Sequence, residues 1–429
     1  MPAWLPKGGR IAEVPTDHRG SAHDRVLPPR PRGRAVLPRM TASMTASFKR
    51  YDFLTALASV ARDDLVVTNL ANTATEWHAA RPSHANLYAV GMGLVTPYAL
   101  GVALARPDQP VIALDGDGGI FFDTSVLGTI AAAAPVNLTI VVFDNSGYIS
   151  TGKLPDVASL AAQVDIATLA RAYGLANVHT VDHPEALVAC VRETSAHAGA
   201  KLIVAKVNVE QAFVGALPMD LKENKYHFVR HIEQAVGIRI LKPSAKEHGA
   251  RPAADPSGNA GANGSFAQTL YAALKDNGID FVIGLPCSGF SGAQSLLMQD
   301  RELRYLPVAH EGTGLGICAG AWLGGKRPAA LIENFGLFAS VYQLLRGHFS
   351  HGIPTLLMTE WRGDTGDQEF FAETGEVTRA LLSAIRVNHR VVDDAAQLMP
   401  AVRDALRWMD ACLRPFALLP TFELTRQKR

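Results

Sequence analysis

Two stretches of the chain alternate short apolar runs with segments of helical pattern. They span residues 44–240 and 266–429. Strands that are apolar along their whole length are buried on both faces, which is typical of parallel sheets covered by helices. The pattern predicts an α/β fold with two parallel-sheet sandwich domains. The predicted strands are residues 110–116, 138–145, 202–209, 281–286, 327–333 and 353–360, and the predicted helices include residues 124–134, 156–173, 266–275 and 312–323.

Two further segments show neither period. Residues 1–43 are rich in proline and basic side chains, and predict a disordered extension or a start site placed too early, with Met40 or Met44 as the true start. Residues 241–265 are rich in Gly, Ala, Pro and Asn. This composition cannot bury enough apolar surface to order itself, so it predicts a flexible linker between the two domains.

Composition and charge narrow the functional classes. The 429 residues include 41 Lys and Arg and 40 Asp and Glu, a formal net charge of +1. A nucleic-acid-binding protein shows a basic excess, so this balance argues against such a partner. No apolar stretch reaches the roughly 18 residues that span a bilayer, which argues against a membrane protein. Four scattered cysteines without a CxxC pair suit a reducing cytoplasm.

Polar turns follow two neighbouring predicted strands of the first domain. The turn Gly116-Asp117-Gly118-Gly119 follows the strand that ends near residue 116, and Asn145 follows the next predicted strand. Ligands bind parallel sheets at the carboxyl ends of their strands. Glycines let the backbone approach a phosphate closely, and carboxylate and amide oxygens are ligands that Mg²⁺ prefers. The pattern favours an anion and magnesium site.

GDG followed one strand later by Asn resembles the diphosphate-binding domain of thiamine diphosphate (ThDP) enzymes. The resemblance implies Asp117, Asn145 and the Gly147 carbonyl as Mg²⁺ ligands. It also implies that backbone amides of the glycines bind the cofactor diphosphate. The segment 91–104 resembles the part of that domain ahead of GDG, which implies that Met92 supports the bent cofactor.

Residues 307–326 resemble the pyrimidine-binding domain of the same enzymes. The resemblance implies that Glu311 contacts the aminopyrimidine ring and promotes the tautomer that deprotonates the thiazolium carbon. By itself Glu311 is equally compatible with a helix cap. His310 and Tyr148 are candidates for proton transfer near the intermediate.

Four further motifs are similar to those of sulfopyruvate and phosphonopyruvate decarboxylases. That family implies decarboxylation of a 2-oxo acid to an aldehyde through a ylide and an enamine. Lys153, Arg362 and Ser288 are candidates for binding the substrate, although the two cations are equally typical of solvated surface charges. The motifs are residues 144–152, 284–289, 316–329 and 361–363.

The chain also departs from that family. The diphosphate domain precedes the pyrimidine domain, which is the reverse of the usual order. The usual QNSGLGN motif is replaced at residues 333–339, and Phe370 and Phe371 stand where polar residues are common. An aromatic lining suggests a larger or more apolar substrate than sulfopyruvate. We expect a homodimer or homotetramer with active sites where the two kinds of domain meet.

Three alternatives remain open. A ThDP-dependent carboligase would add the same enamine to a second carbonyl compound, and a ThDP-binding protein without turnover would release no product. A dinucleotide-binding oxidoreductase is favoured only by a lone GxGxxA at residues 314–319, which is a weak motif without a ribose-binding acid.

His348 and His351 would suit a metal, but the pattern favours two solvated loop histidines.

Overall fold

The computed structural model describes residues 46–148, 160–193, 199–241 and 265–426. This part of the chain forms two six-stranded sheets, and every strand pair in them is parallel. The predicted α/β fold class is confirmed. The predicted extension, Lys153 and nearly all of the predicted linker lie outside the described residues.

The first sheet has the strand order β2-β1-β3-β4-β6-β5. Three of its strands are the apolar runs that the sequence predicts, and the crossovers between the strands contain helices. The strands are β1 (Leu65–Asn69), β2 (Asn86–Val90), β3 (Val111–Gly116), β4 (Leu138–Asp144), β5 (Asn177–Val181) and β6 (Lys201–Lys206). The helices are α1 (Arg50–Ala58), α2 (Asn72–Ala80), α3 (Val95–Ala105), α4 (Asp117–Phe122), α5 (Ser125–Ala133), α6 (Ile166–Ala172), α7 (Pro184–Arg192) and α8 (Leu221–Val236), with a short 3₁₀ helix at Leu160–Ala162.

The second sheet has the strand order β11-β12-β10-β9-β7-β8. Its strands are β7 (Phe281–Gly284), β8 (Arg304–Pro307), β9 (Pro328–Glu333), β10 (Leu356–Glu360), β11 (Asn388–Val392) and β12 (Phe416–Pro420). Its helices are α9 (Phe266–Asp276), α10 (Ser291–Gln299), α11 (Glu311–Leu323), α12 (Asn334–Ala339), α13 (Ala372–Ala384), α14 (Leu398–Cys412) and α15 (Phe422–Arg426). A π-helical turn spans Gln343–Phe349, and 3₁₀ turns span Glu369–Phe371 and Ala395–Gln397.

The two sheets share one apolar core. Helix α3 of the first half packs against α11 of the second, and every residue of both helices is buried. The core cluster around them contains side chains from both sheets, whereas two smaller clusters cover the outer faces. The small side chains of α11 allow this close approach. The packing of α3 on α11 therefore sets how the two sheets meet.

Two local predictions are wrong. The predicted helix at residues 156–173 is interrupted, because Asp165 caps a new helix by accepting a hydrogen bond from the Thr168 amide at 2.7 Å. His348 and His351 are buried rather than solvated. The ring of His348 bonds to the carbonyls of Ile353 and of Leu315 in α11, and that of His351 bonds to the carbonyl of Gly347. Among the described helices, none combines the length and apolarity required to cross a bilayer.

Candidate active site

A buried aspartate supports the glycine-rich turn at the end of β3. The Asp115 carboxylate accepts hydrogen bonds from Asn69 Nδ2 at 3.0 Å, Thr96 Oγ1 at 2.9 Å and the Gly116 amide at 2.9 Å. Burial raises the pKa of Asp115 to about 6. Its three donors hold the turn in place, so Asp115 is a support for the turn rather than a group that faces a ligand.

The turns after β3 and β4 lie side by side at the carboxyl edge of the first sheet. The two strands are neighbours in register, and α4 begins at Asp117, which is 5% exposed. Asp117 Oδ1 accepts from the Gly118 amide at 2.8 Å, and Asn145 Oδ1 accepts from the Gly147 amide at 3.0 Å. A carboxylate, an amide oxygen and a nearby carbonyl are a donor set that fits Mg²⁺.

The glycines after Asp117 are required by their surroundings. A Cβ added at Gly118 would lie 2.8 Å from a ring carbon of Tyr148, and one added at Gly119 would overlap the Asp115 carboxylate. Tyr148 is 36% exposed and covers this turn. Contacts within the protein thus require glycine at both positions, and the approach of a phosphate to this backbone stays a prediction.

Met92 lies where the end of β2 meets the second half of the chain. Its carbonyl accepts a hydrogen bond from Tyr342 Oη at 3.2 Å. The Tyr342 ring packs 5.2 Å from the ring of Phe122 in α4. Met92 is half-buried, and this position at the junction of the two halves suits a side chain that supports a bound ring system.

Glu311 is the first residue of α11 and is 9% exposed. Its carboxyl group packs so closely against Gly336 that a Cβ there would overlap it. Gln343 packs against Gly312, the residue that follows Glu311 in α11. The buried Gln343 Oε1 has no hydrogen-bond partner among the described residues. A carboxylate beside an unpartnered amide oxygen fits a flat ring that carries hydrogen-bond donors.

Polar contacts between the two halves of the chain join His310 and Thr313, which flank Glu311 in sequence, to the turn after α4. His310 Nδ1 lies 3.8 Å from Asp123 Oδ2. The Thr313 hydroxyl donates to the same carboxylate and lies 2.9 Å from Ser125 Oγ. The nearby Asp123 carboxylate raises the pKa of His310, against the effect of burial. The carboxyl edge of the first sheet and the N-terminus of α11 are thereby held together within one chain.

The predicted substrate residues lie on the second sheet's carboxyl edge. The Arg362 guanidinium forms two hydrogen bonds to Asp367, at 2.8 and 3.1 Å, and Nη1 lies 3.4 Å from Ser288 Oγ. Phe371 covers one face of the guanidinium, with its ring centre 3.7 Å from Cζ. Arg362 is 8% exposed, so it is engaged by protein groups rather than presented to solvent.

Sequence reasoning missed several residues of this region. Asp123 and Tyr342 make contacts between the halves, and Gln343 packs against Gly312, yet none belongs to a recognised motif. The one available signal for Asp123 was its place directly after the helix that GDG begins. The predicted site residues fall into two groups. Those at the carboxyl edge of the first sheet are Met92, Asp117 and its glycines, Asn145, Gly147 and Tyr148. Those at the carboxyl edge of the second sheet are Glu311, His310, Ser288 and Arg362.

Comparisons with known proteins identify the family to which the chain is similar. Residues 68–205 match the family model described as thiamine pyrophosphate enzyme, C-terminal TPP binding domain. The alpha subunit of sulfopyruvate decarboxylase from Methanococcus maripaludis is 28% identical over 160 residues, which are 33% of this chain and 96% of that protein. The beta subunit of sulfopyruvate decarboxylase from Methanothermobacter thermautotrophicus is 33% identical over 135 residues, 31% of this chain and 71% of that protein.

A solved structure supports the fold. The benzoylformate decarboxylase from Polynucleobacter necessarius has a TM-score of 0.53 and 11% identity, covering 89% of this chain and 100% of that one. At this identity the likeness concerns the fold alone. The matched subunits, the family model and the fold agree with the motifs, and the chain belongs to the family of thiamine diphosphate-dependent decarboxylases that includes sulfopyruvate decarboxylase.

Proposed function

We propose that this chain binds ThDP and Mg²⁺ between its two halves and decarboxylates a 2-oxo acid to an aldehyde. Residues 44–240 would be the diphosphate-binding domain and residues 266–429 the pyrimidine-binding domain. The observation that carries the proposal is the His310–Asp123 contact of 3.8 Å. It joins the residue before Glu311 to the end of the helix that Asp117 begins.

The first sheet would hold the charged end of the cofactor. Asp117, Asn145 and the Gly147 carbonyl would bind Mg²⁺, because hard oxygen donors suit that ion. The amides after Asp117 would donate to the diphosphate, and Met92 would support the ring system. When bound, ThDP supplies a nucleophilic carbon and an electron sink for the loss of CO₂.

The second sheet would supply the proton-transfer groups. Glu311 is nearly buried at the start of α11, and would exchange a proton at its carboxylate oxygen with the aminopyrimidine ring. His310 is protonated more readily than an isolated histidine because of Asp123, and would hold a proton at an imidazole nitrogen. The exposed Tyr148 ring packs over the turn at Gly118 and would help to exclude water there.

We also propose that two or four copies associate. The relatives with alpha and beta subunits carry the two kinds of sequence on separate chains, whereas this chain carries both halves. All four cysteines are free, which agrees with a location in the reducing cytoplasm. Sedimentation velocity of the full chain with and without ThDP would determine the assembly.

The test is a direct assay of the full chain with ThDP, Mg²⁺ and a panel of 2-oxo acids. Released CO₂ and all products are measured, the products by mass spectrometry. We expect CO₂ and the corresponding aldehyde. Products heavier than that aldehyde would instead indicate the carboligase alternative.

The matched variants are Glu311→Gln and Glu302→Gln. Glu302 has a side chain that is 83% exposed, so its variant should retain activity. Glu311→Gln should lose CO₂ release while the protein remains folded, as judged by its thermal midpoint. Cofactor binding without CO₂ from any acid, or full activity in Glu311→Gln, would overturn the proposal.

A further inference from the structure

An acidic cluster lies beside Glu311 at the carboxyl edge of the second sheet. We define it as Cys287, Glu333 and Glu360, whose ligand atoms lie within 4.8 Å of one another. The two glutamates are the last residues of the neighbouring strands β9 and β10 and are paired in register. Like charges in direct opposition are destabilising in a sheet unless something compensates them. The placement therefore calls for a physical explanation.

One carboxylate oxygen of this cluster has no hydrogen-bond partner. Glu360 is 0% exposed. Its Oε2 accepts a hydrogen bond from the Gly289 amide at 3.1 Å, but Oε1 is buried without a partner among the described residues. A buried acceptor that is left unpaired costs free energy, so such groups are usually satisfied by a donor. The Cys287 thiol lies within 4.8 Å of this carboxylate, but a thiol is a weak donor, so Glu360 Oε1 marks a place for a stronger donor from a ligand.

The nearest cation does not neutralise the cluster. Arg362 forms its two short hydrogen bonds with Asp367, and approaches Glu333 only to 3.7 Å. Its guanidinium lies between the rings of Phe371 and Phe422, which hold it in place. One cation thus faces three carboxylates, and this balance disfavours the binding of a second anion at this edge.

The titration behaviour of the two glutamates agrees with that balance. Burial raises the pKa of both Glu333 and Glu360. The charge of Glu333 raises the pKa of Glu360 further, and the charge of Glu311 does the same for Glu333. The positive charge around both carboxylates is therefore too small to neutralise them, and Glu311 is close enough to add to the negative charge.

A metal ion explains the cluster less well. Burial, with the negative charge of Glu360, raises the pKa of the Cys287 thiol, whereas a metal ligand must be the thiolate. The Arg362 guanidinium beside Glu333 would also repel a cation. A neutral donor from an organic ligand avoids both difficulties, and a singly charged donor needs no thiolate and is repelled less than a divalent ion.

The surroundings indicate which part of a ligand reaches the cluster. Gly336 in α12 packs against the Glu311 carboxyl group, and α12 directly follows Glu333. Phe335, the second residue of α12, packs against Phe371 with ring centres 5.4 Å apart, and Phe371 covers the Arg362 guanidinium. A substrate whose reacting carbon is near Glu311 would extend its other end past these rings toward Glu360.

We propose that the acidic cluster binds the distal end of the substrate, and that the substrate is a 2-oxo acid ending in a hydrogen-bond donor rather than in a second anion. The donor is a hydroxyl or ammonium-type group, which Glu360 Oε1 would accept. This inference rests on the proposed decarboxylation. It distinguishes the chain from an enzyme for sulfopyruvate, whose distal group is a sulfonate.

The test compares acids of similar size that differ at the distal end. The hydroxyl set is 3-hydroxypyruvate, 2-oxobutanoate and sulfopyruvate, and the cationic set is 5-guanidino-2-oxopentanoate, 2-oxohexanoate and 2-oxoadipate. Within at least one set, kcat/KM for the donor acid should exceed that of both companions by about tenfold or more. The set that shows the preference identifies the donor as neutral or cationic.

Variants connect the preference to the cluster. Glu360→Gln removes the negative charge of the carboxylate that contains the unpartnered oxygen. It should reduce the kcat/KM preference for the donor acid about tenfold. Glu333→Gln changes the more exposed member, so it remains informative if the first variant does not fold, and should improve the use of anionic acids. Glu376→Gln on the exposed face of α13 is the control and should leave the preference unchanged.

Binding to the inactive Glu311→Gln variant separates the two proposals. Isothermal titration with the same acids and ThDP should give tighter binding of the donor acids even without turnover. CO₂ from all acids with equal kcat/KM, or a preference for the anionic acids, would overturn the substrate class and leave decarboxylation standing. Selective binding of donor acids to wild type without any CO₂ would overturn decarboxylation and support the acidic subsite.

Discussion

Gly101 of α3 and Gly320 of α11 touch where the two helices cross. A Cβ added at Gly320 would lie 3.0 Å from the Gly101 Cα and would overlap the Tyr98 carbonyl oxygen. This crossing lies in the core that both sheets share. Because Glu311 begins α11, the distance between these two glycines controls how closely Glu311 approaches the first sheet.

Gly320→Ala should therefore loosen the junction of the two halves. The added methyl group meets backbone atoms that cannot rotate away, so we expect a loss of about 1–3 kcal/mol or more in the free energy of unfolding. For a chain of this size that corresponds to a fall of several degrees in thermal midpoint. Differential scanning fluorimetry measures it.

Gly215→Ala is the matched control. A Cβ added there would meet nothing within 4 Å, so its thermal midpoint should stay close to that of wild type. An equal midpoint for Gly320→Ala and wild type would show that the helix crossing is not as tight as described.

Asp123→Asn should lower the pKa of His310. In the native protein the nearby carboxylate of Asp123 raises that pKa. The stabilisation is therefore present below the ordinary histidine pKa and is lost as pH rises through the elevated one. Removing the charge should move the titration to lower pH. Proton–carbon NMR of histidine side chains measures it, with the His310 signal assigned from His310→Gln.

The exposed Asp108 provides the comparison. Asp108→Asn should leave the His310 titration where it is in wild type. If Asp123→Asn also leaves it unchanged, the contact across the two halves does not form in solution.

Lys225→Met should stabilise the protein at pH 7. Lys225 is 1% exposed, and its ammonium donates to the Gly352 carbonyl at 3.2 Å. Burial lowers the pKa of Lys225 to about 8, so the folded state disfavours the charged form. Met is of similar length and carries no charge to desolvate, so we expect a gain on the order of 1 kcal/mol.

The pH dependence provides the sharper check. Between pH 8 and the unfolded-state value of 10.5, the unfolded chain binds more protons at this residue, so wild-type stability rises with pH. The advantage of Lys225→Met should thus be largest at pH 7 and shrink by pH 10. Urea unfolding at both pH values measures it, and an advantage that grows with pH would contradict the burial of a charged lysine. Lys222→Met on the exposed face of the same helix should change stability little.

The sequence alone predicts the parts of the fold whose burial is continuous. Strands β3 and β4 are buried along nearly their whole length and appear as apolar runs. The edge strands β8 and β11 carry exposed residues at two positions each, so they lack that pattern. His348 was misjudged because its polarity suggested solvent, whereas two backbone carbonyls surround its ring.

The candidate site likewise contains residues that the sequence identifies and residues that it does not. Asp117, Asn145 and Glu311 follow strands in recognisable motifs, so the sequence identifies them. Asp123 acts through a contact with His310 that only the folded chain creates. A side chain whose role depends on a residue far away in the sequence leaves no local pattern to read.

Asp117→Ala should abolish the magnesium-dependent binding of ThDP. Asp117 lies at the start of α4 with its carboxylate directed to the turn that contains Gly118, and the proposal makes it the one charged ligand of the ion. With ligand at about 100 times its Kd, wild type should gain about 2.7 kcal/mol of stability, seen as a rise in thermal midpoint. Both Asp117→Ala with Mg²⁺ and wild type with EDTA should lose that rise. Asp108→Ala at an exposed position should keep it, and a full magnesium-dependent shift in Asp117→Ala would place the metal elsewhere.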